Sequence, residues 1–350
     1  MDQQLAQELK QGKIAPLYLF YGTESYLMEE TSRWIRQRVL SDEKDEWSQT
    51  VMDLEETAIQ DVVREVETAS FFGEARVVVA HHAWFLTGAR KKSKVDHQPE
   101  ELLRYAQAPV EENVLILTVE AAKLDSRKKL VKELKKKARV AAFPPLESKE
   151  LERWVAKRIR QAGLTPHPQA ADSLIRNVGS DLRLLNGEIE KLAAYVGKGG
   201  TLTPAEVAEL VPRTLEQDVF KLINQVAQRR TAEALSLFYD LLANREEPIR
   251  ILSLVIRQFR ILLQVKVLAR EGKSEREIAS LLGLHPYPVK LALQQGRSFP
   301  EETLRALLER SIAADHDIKK GRIDKVLAVE RLLLSLEMMD PPLASGRSKG

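Results

Sequence analysis

Between Pro16 and Phe143 the chain alternates short, continuous apolar runs with segments whose apolar residues recur at helical spacing. The runs LYLF, RVVVA, NVLILTV and ARVAAF are too short for helices and lack a clean two-residue alternation, so they predict strands of a parallel sheet covered on both faces. Between them the pattern predicts a helix from Glu24 and another holding Ile59, Val62, Val63 and Val66 on one stripe. This is the grammar of an α/β domain.

The pattern changes at Pro144 and Pro145, which block helix and strand pairing alike. From Glu147 onward only helical periodicity is present, first in LERWVAKRIRQAGL, AADSLIRNVG and DLRLLNGEIEKLAAYVG, where Leu182, Leu185, Ile189 and Leu192 share a stripe. Thr203 and Pro204 form a cap and first-turn pair, and Pro212 closes this helical segment. Helices are then predicted at 216–229, 231–244 and 247–271, as a shorter pair around 274–295, and at 301–313 and 323–338. ILSLVI and RLLLSL are apolar around much of the helix, which predicts burial among neighbouring helices or subunits. The expected organisation is an α/β domain over 1–143, a small helical domain over 144–212, a larger helical domain over 213–340 and a disordered tail over 341–350.

Composition narrows the chemistry. The 350 residues include no cysteine, so disulfides and thiolate metal sites are excluded, in keeping with a reducing cytoplasm. Six histidines, with His81 and His82 adjacent, show no metal-ligand spacing. No apolar run is long enough to span a bilayer, and the polar start MDQQLAQELK is no signal peptide; a soluble, cytoplasmic protein is expected. The formal charge is only +3, from 54 basic and 51 acidic residues, so nucleic acid would have to be met by a local patch.

No catalytic constellation emerges. Residues 16–35 place a strand, a glycine turn and a helix where a nucleotide-binding domain keeps its phosphate loop. Of the glycines, lysine and hydroxyl that such a loop requires, only Gly22 and Thr23 remain. Glu24, Glu29 and Glu30 add charge that favours the positive end of the helix dipole and opposes a polyphosphate. Glu120, at the end of NVLILTV, lacks the preceding aspartate of a magnesium-holding strand. Adjacent Phe71 and Phe72 end a helix; neighbouring helix-end side chains diverge by about 100 degrees, so either both bury locally or at least one projects as an aromatic anchor.

Of two basic runs, Arg90–Lys94 is placed in a loop, and Arg127–Arg139, with Leu130, Val131 and Leu134 at helical spacing, is read as a solvated helix face before a phosphate track. Residues 274–297 have the outline of a helix-turn-helix around Gly283. There Tyr287 is a candidate exposed aromatic for stacking on an unpaired base, with Lys290 and Arg297 placed to meet phosphates.

In their order and spacing, PLYLFYGTESYLMEE, SFFGEARVVV, GSDLRLLNGEIEKLAAYVG and ADHDIKKGRIDKVLAVERLLLSL resemble the delta subunit of the bacterial DNA polymerase III clamp loader, of Gram-positive type, over nearly the whole chain. The resemblance implies an α/β plus all-α fold: a degenerate AAA+ domain with a parallel sheet, a small helical lid and a C-terminal helical collar. It implies assembly with ATPase subunits and a delta-prime subunit into a five-subunit ring, binding and opening of a sliding clamp, and loading on primed DNA. No intrinsic catalysis and no cofactor are expected, the energy coming from ATP bound elsewhere. The clamp-binding element falls on Ser70, Phe71 and Phe72, preceded by Glu67 where many clamp-binding peptides carry glutamine. Two other readings are an ATP-hydrolysing relative and a DNA-binding regulator using residues 274–297.

Overall fold

A computed structural model describes residues 3–40, 49–68, 75–89 and 94–335. The expected tail at 341–350 and the Arg90–Ser93 part of the first basic run lie outside these residues. The chain divides into two compact units, residues 1–145 and 146–350.

The first unit contains α1 (Gln3–Lys10), β1 (Leu17–Gly22), α2 (Ser25–Val39), β2 (Gln49–Asp53), α3 (Ile59–Glu67), β3 (Val77–His81), α4 (Pro99–Gln107), β4 (Val114–Val119), α5 (Lys129–Lys137) and β5 (Arg139–Phe143). Its five strands pair in the order β2-β3-β4-β1-β5, every neighbour parallel. The central strand β4 is buried at all six positions, which is why NVLILTV is continuously apolar. Alternate residues of β1 serve the two faces. Leu17 and Leu19 join the core formed with Ile59, Val62, Val63 and Val66 of α3 and Leu130, Val131 and Leu134 of α5. Tyr18 and Phe20 point the other way, where Phe20 meets Phe143 edge-on at 5.1 Å.

Strand β2 is absent from the sequence-based expectation. It is an edge strand with alternating exposed positions and only two large apolar residues, Val51 and Met52, and Val51 is 54% exposed. Met52 packs partly buried against the core while Val51 faces solvent, and so partial a burial leaves little hydrophobic signature. Helices α1 and α4 are also additions to the expected set; their short amphipathic patterns bury Leu5 and Leu9, and Leu102 and Tyr105.

The second unit contains α6 (Ser148–Gln161), β6 (Thr165–Pro166), α7 (Ala170–Val178), α8 (Leu182–Val196), β7 (Thr201–Leu202), α9 (Pro204–Leu210), α10 (Leu215–Ala227), α11 (Thr231–Ala243), α12 (Pro248–Arg270), α13 (Glu275–Leu282), α14 (Pro286–Gln295), α15 (Glu301–Lys319) and α16 (Lys325–Ser335). The expectation of no strand beyond Glu147 is corrected by the short parallel pair β6–β7. Helix α15 runs six residues past its predicted end at 313. Asp181 caps α8 by accepting from the amides of Arg183 and Leu184 at 2.9 and 3.0 Å, and Thr203 with Glu206 forms a capping box on α9.

Apart from Pro144 and Pro145, which close the first unit, segments 144–212 and 213–335, distinct in sequence, lie within this one unit. Pro212 ends a helix but leaves no flexible linker: the Asn177 side chain donates to the Val211 carbonyl, and the Asn177 carbonyl accepts from the Thr214 amide, both at 2.9 Å. The 23-residue α12 runs through the larger core, packing against α10, α14, α15 and α16. Gln295 ties that core together, donating to the Phe220 carbonyl and Asn224 Oδ1 and accepting from Gln258. No helix among the described residues is long and apolar enough to cross a membrane.

Candidate functional site

In parallel α/β sheets the natural binding position lies beyond the carboxyl ends of the strands. At the end of β1 only Thr23 and Glu24 separate Gly22 from the first residue of α2. Both of their backbone amides donate to the Phe143 carbonyl, each at 3.1 Å. Amides that a phosphate loop would direct at an anion are thus committed to the neighbouring strand β5. Gly22 itself has φ 148° and lies so close to β5 that a Cβ would stand 2.0 Å from the Phe143 oxygen. Its role is close strand packing.

At the end of β2 and β3, His82 adopts φ 62°, pairs with Asp53 at 2.8 Å and stacks in parallel on Trp84, whose indole donates to Glu55. His81 meets the buried Thr118 hydroxyl at 2.9 Å, and burial together with His82 pushes its pKa down. Among the described residues no His, Cys, Asp and Glu group of three or more could hold a metal ion.

A second feature surrounds the end of α3. Ser70, Phe71 and Phe72 lie outside the described residues, but the chain on either side is firmly fixed. The buried Asn113, 5% exposed, donates from Nδ2 to the Val66 carbonyl at 2.7 Å and accepts at Oδ1 from the Arg76 amide at 2.9 Å. One carboxamide therefore joins the last turn of α3 to the residue before β3. Arg104 of α4 grips the Glu67 carboxylate with both terminal nitrogens at 2.9 Å, and the Arg76 guanidinium pairs with Glu65. None of Arg76, Arg104 and Asn113 is marked in the sequence, because each partner is 11 to 47 residues away. Asn113→Leu should lower stability by about 2–4 kcal/mol, since it strands a buried donor and a buried acceptor together. Asn113→Asp keeps the acceptor for Arg76 but sets a carboxylate oxygen against the Val66 carbonyl in a buried site, so at neutral pH it should lose at least as much and recover part of the loss when the carboxyl is protonated; urea unfolding of the two variants at neutral and acid pH compares them.

The C-terminal helix pair has the predicted form, with Gly283 left-handed at φ 63° between α13 and α14. Tyr287, however, is not the exposed ring expected. It is 7% exposed, and its hydroxyl pKa is pushed up to about 12, chiefly by burial and then by Asp172 of α7. Pro286 occupies the first position of α14 and is buried too, so the turn that a recognition helix would present to a groove faces inward. Lys290 is partly buried within the field of Glu275, and Arg297 is exposed beyond the end of α14. The three residues do not form one surface for stacking on an unpaired base. Arg139, at the sheet edge, pairs with Glu8 of α1 at 2.6 Å.

The profile described as DNA polymerase III, delta subunit, matches residues 18–143, and that of the delta subunit's C-terminal domain matches residues 216–336. The DNA polymerase III subunit delta of Bacillus subtilis is 40% identical over 328 residues, covering 94% of each chain. The chain belongs to the DNA polymerase III delta subunit family. A solved structure of the Bacillus subtilis DNA clamp loader delta protein is similar with a TM-score of 0.79 and 39% identity, covering 97% of this chain and all of that one. A probable delta subunit from Aquifex aeolicus is 22% identical over 277 residues, 77% of this chain and 75% of its own. The five-stranded parallel sheet and a second unit that is helical but for the short β6–β7 pair give the α/β plus all-α architecture expected of a delta subunit. Membership places the chain in DNA replication as a clamp-loader subunit of DNA polymerase III.

Proposed function

We propose that this delta subunit binds the sliding clamp through Ser70, Phe71 and Phe72 and biases one clamp interface toward opening, without binding ATP itself. The reading rests on one juxtaposition within the first unit. The turn at Gly22 spends its amides on the Phe143 carbonyl, whereas the paired aromatics follow a helix whose end is held by Asn113 and Arg104. One side of the domain lacks the means to grip a polyphosphate, and the other offers a rigid base for an apolar anchor.

A lever of this kind needs no hydrolysis of its own. Tighter binding to the open clamp than to the closed one shifts the equilibrium by that difference and no further. ATPase subunits and a delta-prime subunit would complete the ring through the helical second unit and supply the energy, in the cytoplasm and on primed DNA. The chain is then a non-catalytic component of the polymerase holoenzyme.

Calorimetric titration of the full chain with the sliding clamp, repeated in saturating magnesium-ATP, tests the reading. Saturable clamp binding with the same Kd in both titrations is expected, with no saturable heat from ATP alone. Tight ATP binding by the isolated chain, or no measurable clamp binding, would reject it.

A further inference from the structure

The last residue of α3 is an acid, at the end of the helix that least favours one. Glu67 stands at the negative pole of the helix dipole, and its charge is met from another element. Arg104 of α4 donates from Nη1 to one carboxylate oxygen and from Nη2 to the other, each at 2.9 Å. The guanidinium is itself oriented, because its Nε donates to Glu101 in the first turn of α4 at 3.1 Å. One residue before Glu67 the Val66 carbonyl accepts from Asn113, so the last turn of α3 is held by its backbone on one side and by its carboxylate on another. Thr68 completes this end, its amide donating to the Arg64 and Glu65 carbonyls and its hydroxyl to the Arg64 carbonyl at 2.8 Å.

Folding stability does not account for the Arg104–Glu67 pair. Its side chains are 56% and 31% exposed, and ion pairs so open to solvent add little to a fold. What a two-pronged pair supplies is direction, because two parallel hydrogen bonds fix both the place and the tilt of the carboxylate. Glu67 opens the segment assigned above to the clamp, and two roles are open to it. It could turn outward to the partner, as a neutral glutamine there could, or it could fix the chain that leads to the anchor. Both of its oxygens are occupied by Arg104, so an outward turn would first break two charge-assisted hydrogen bonds. Tethering contributes to binding in another way. A chain end ordered beforehand has less freedom to lose on association.

We propose that Arg104 is a positioning residue for clamp binding, acting through Glu67 to fix the course of the chain as it leaves α3, and that Glu67 itself makes no contact with the clamp. The inference rests on the clamp reading above, and one set of titrations separates the failure of each. The sliding clamp is titrated calorimetrically with the full chain, with Arg104→Ala, with Glu67→Gln, with the two combined, and with Phe71→Ala plus Phe72→Ala. Arg104→Ala and Glu67→Gln should each raise Kd about five- to tenfold, the cost of ordering a released chain end on binding. Combined, they should raise it no further than either alone, since both remove the same link. The urea midpoint of Arg104→Ala should match that of the parent, because the pair is exposed. An unchanged or lower Kd for Arg104→Ala would overturn the assignment, since it would show a Glu67 set free to meet the clamp. Additive losses would overturn it too, placing Arg104 or Glu67 in direct contact, and so would a midpoint that falls together with the affinity. Parental Kd in the Phe71→Ala, Phe72→Ala variant would reject the clamp reading and this inference with it. Loss there with none in Arg104→Ala would reject the positioning role alone.

Discussion

Replacing both Phe71 and Phe72 by alanine is expected to weaken binding of the sliding clamp by about 4 kcal/mol, roughly a thousandfold in Kd, and to leave the urea midpoint of the chain unmoved. The two outcomes separate the two places such a pair of rings can go. Were both rings part of their own domain's core, truncation would remove buried area and leave cavities, costing about 3–5 kcal/mol of stability for each. Were they an interfacial anchor, the same atoms would count only when the clamp is bound. Titration calorimetry reads the affinity and urea unfolding the stability, so neither result is ambiguous. A helix end held by Asn113 and Arg104 gives an interfacial anchor a fixed base, which favours the interfacial outcome. A fallen midpoint with unchanged Kd would return the rings to the core.

How far the fold is legible in the sequence depends on how many faces each element buries. Strands β1, β3, β4 and β5 are continuous apolar runs because helices or neighbouring strands cover them, and they are legible as such. Strand β2 is not, because at the sheet edge its burial is partial and its two apolar residues resemble a loop. The missing phosphate loop is legible from absent residue types, but its replacement is not. Nothing near Phe143 in the chain announces that its carbonyl will receive the amides of Thr23 and Glu24, more than a hundred residues earlier.

The same limit applies around the candidate clamp-binding segment. Phe71 and Phe72 stand out as an adjacent pair, whereas Asn113 is the last of three polar residues before a strand and acquires meaning only from Val66 and Arg76. Tyr287 shows the opposite failure. Flanked by Pro286 and Pro288 it reads as an exposed aromatic, yet Pro286 is well suited to the first position of a helix, and α14 then packs the ring inward.

Gly22→Ala is expected to destabilise the first unit by about 4 kcal/mol, although glycine-to-alanine changes at left-handed positions ordinarily cost about 1–2 kcal/mol. The difference lies in what the new methyl would meet. At Gly22 a Cβ would stand 2.0 Å from the Phe143 oxygen and 2.5 Å from its carbonyl carbon, both backbone atoms of the paired strand. No rotamer change relieves that clash. The β1–β5 pairing must open at its end, where Gly22 and Phe143 are in register, and the amides of Thr23 and Glu24 lose their acceptor with it. Gly283→Ala supplies the comparison, because Gly283 is left-handed at φ 63° but has no atom within 4 Å of the added methyl; its cost should stay near 1 kcal/mol. Hydrogen exchange should show protection lost across β1 and β5 in the first variant, with urea unfolding giving the magnitude. If Gly22 were kept for a phosphate, alanine there would spare stability and abolish ATP binding. Close strand packing predicts the reverse, stability lost with no nucleotide affinity to lose, and the two variants measured together decide which constraint holds this glycine in place.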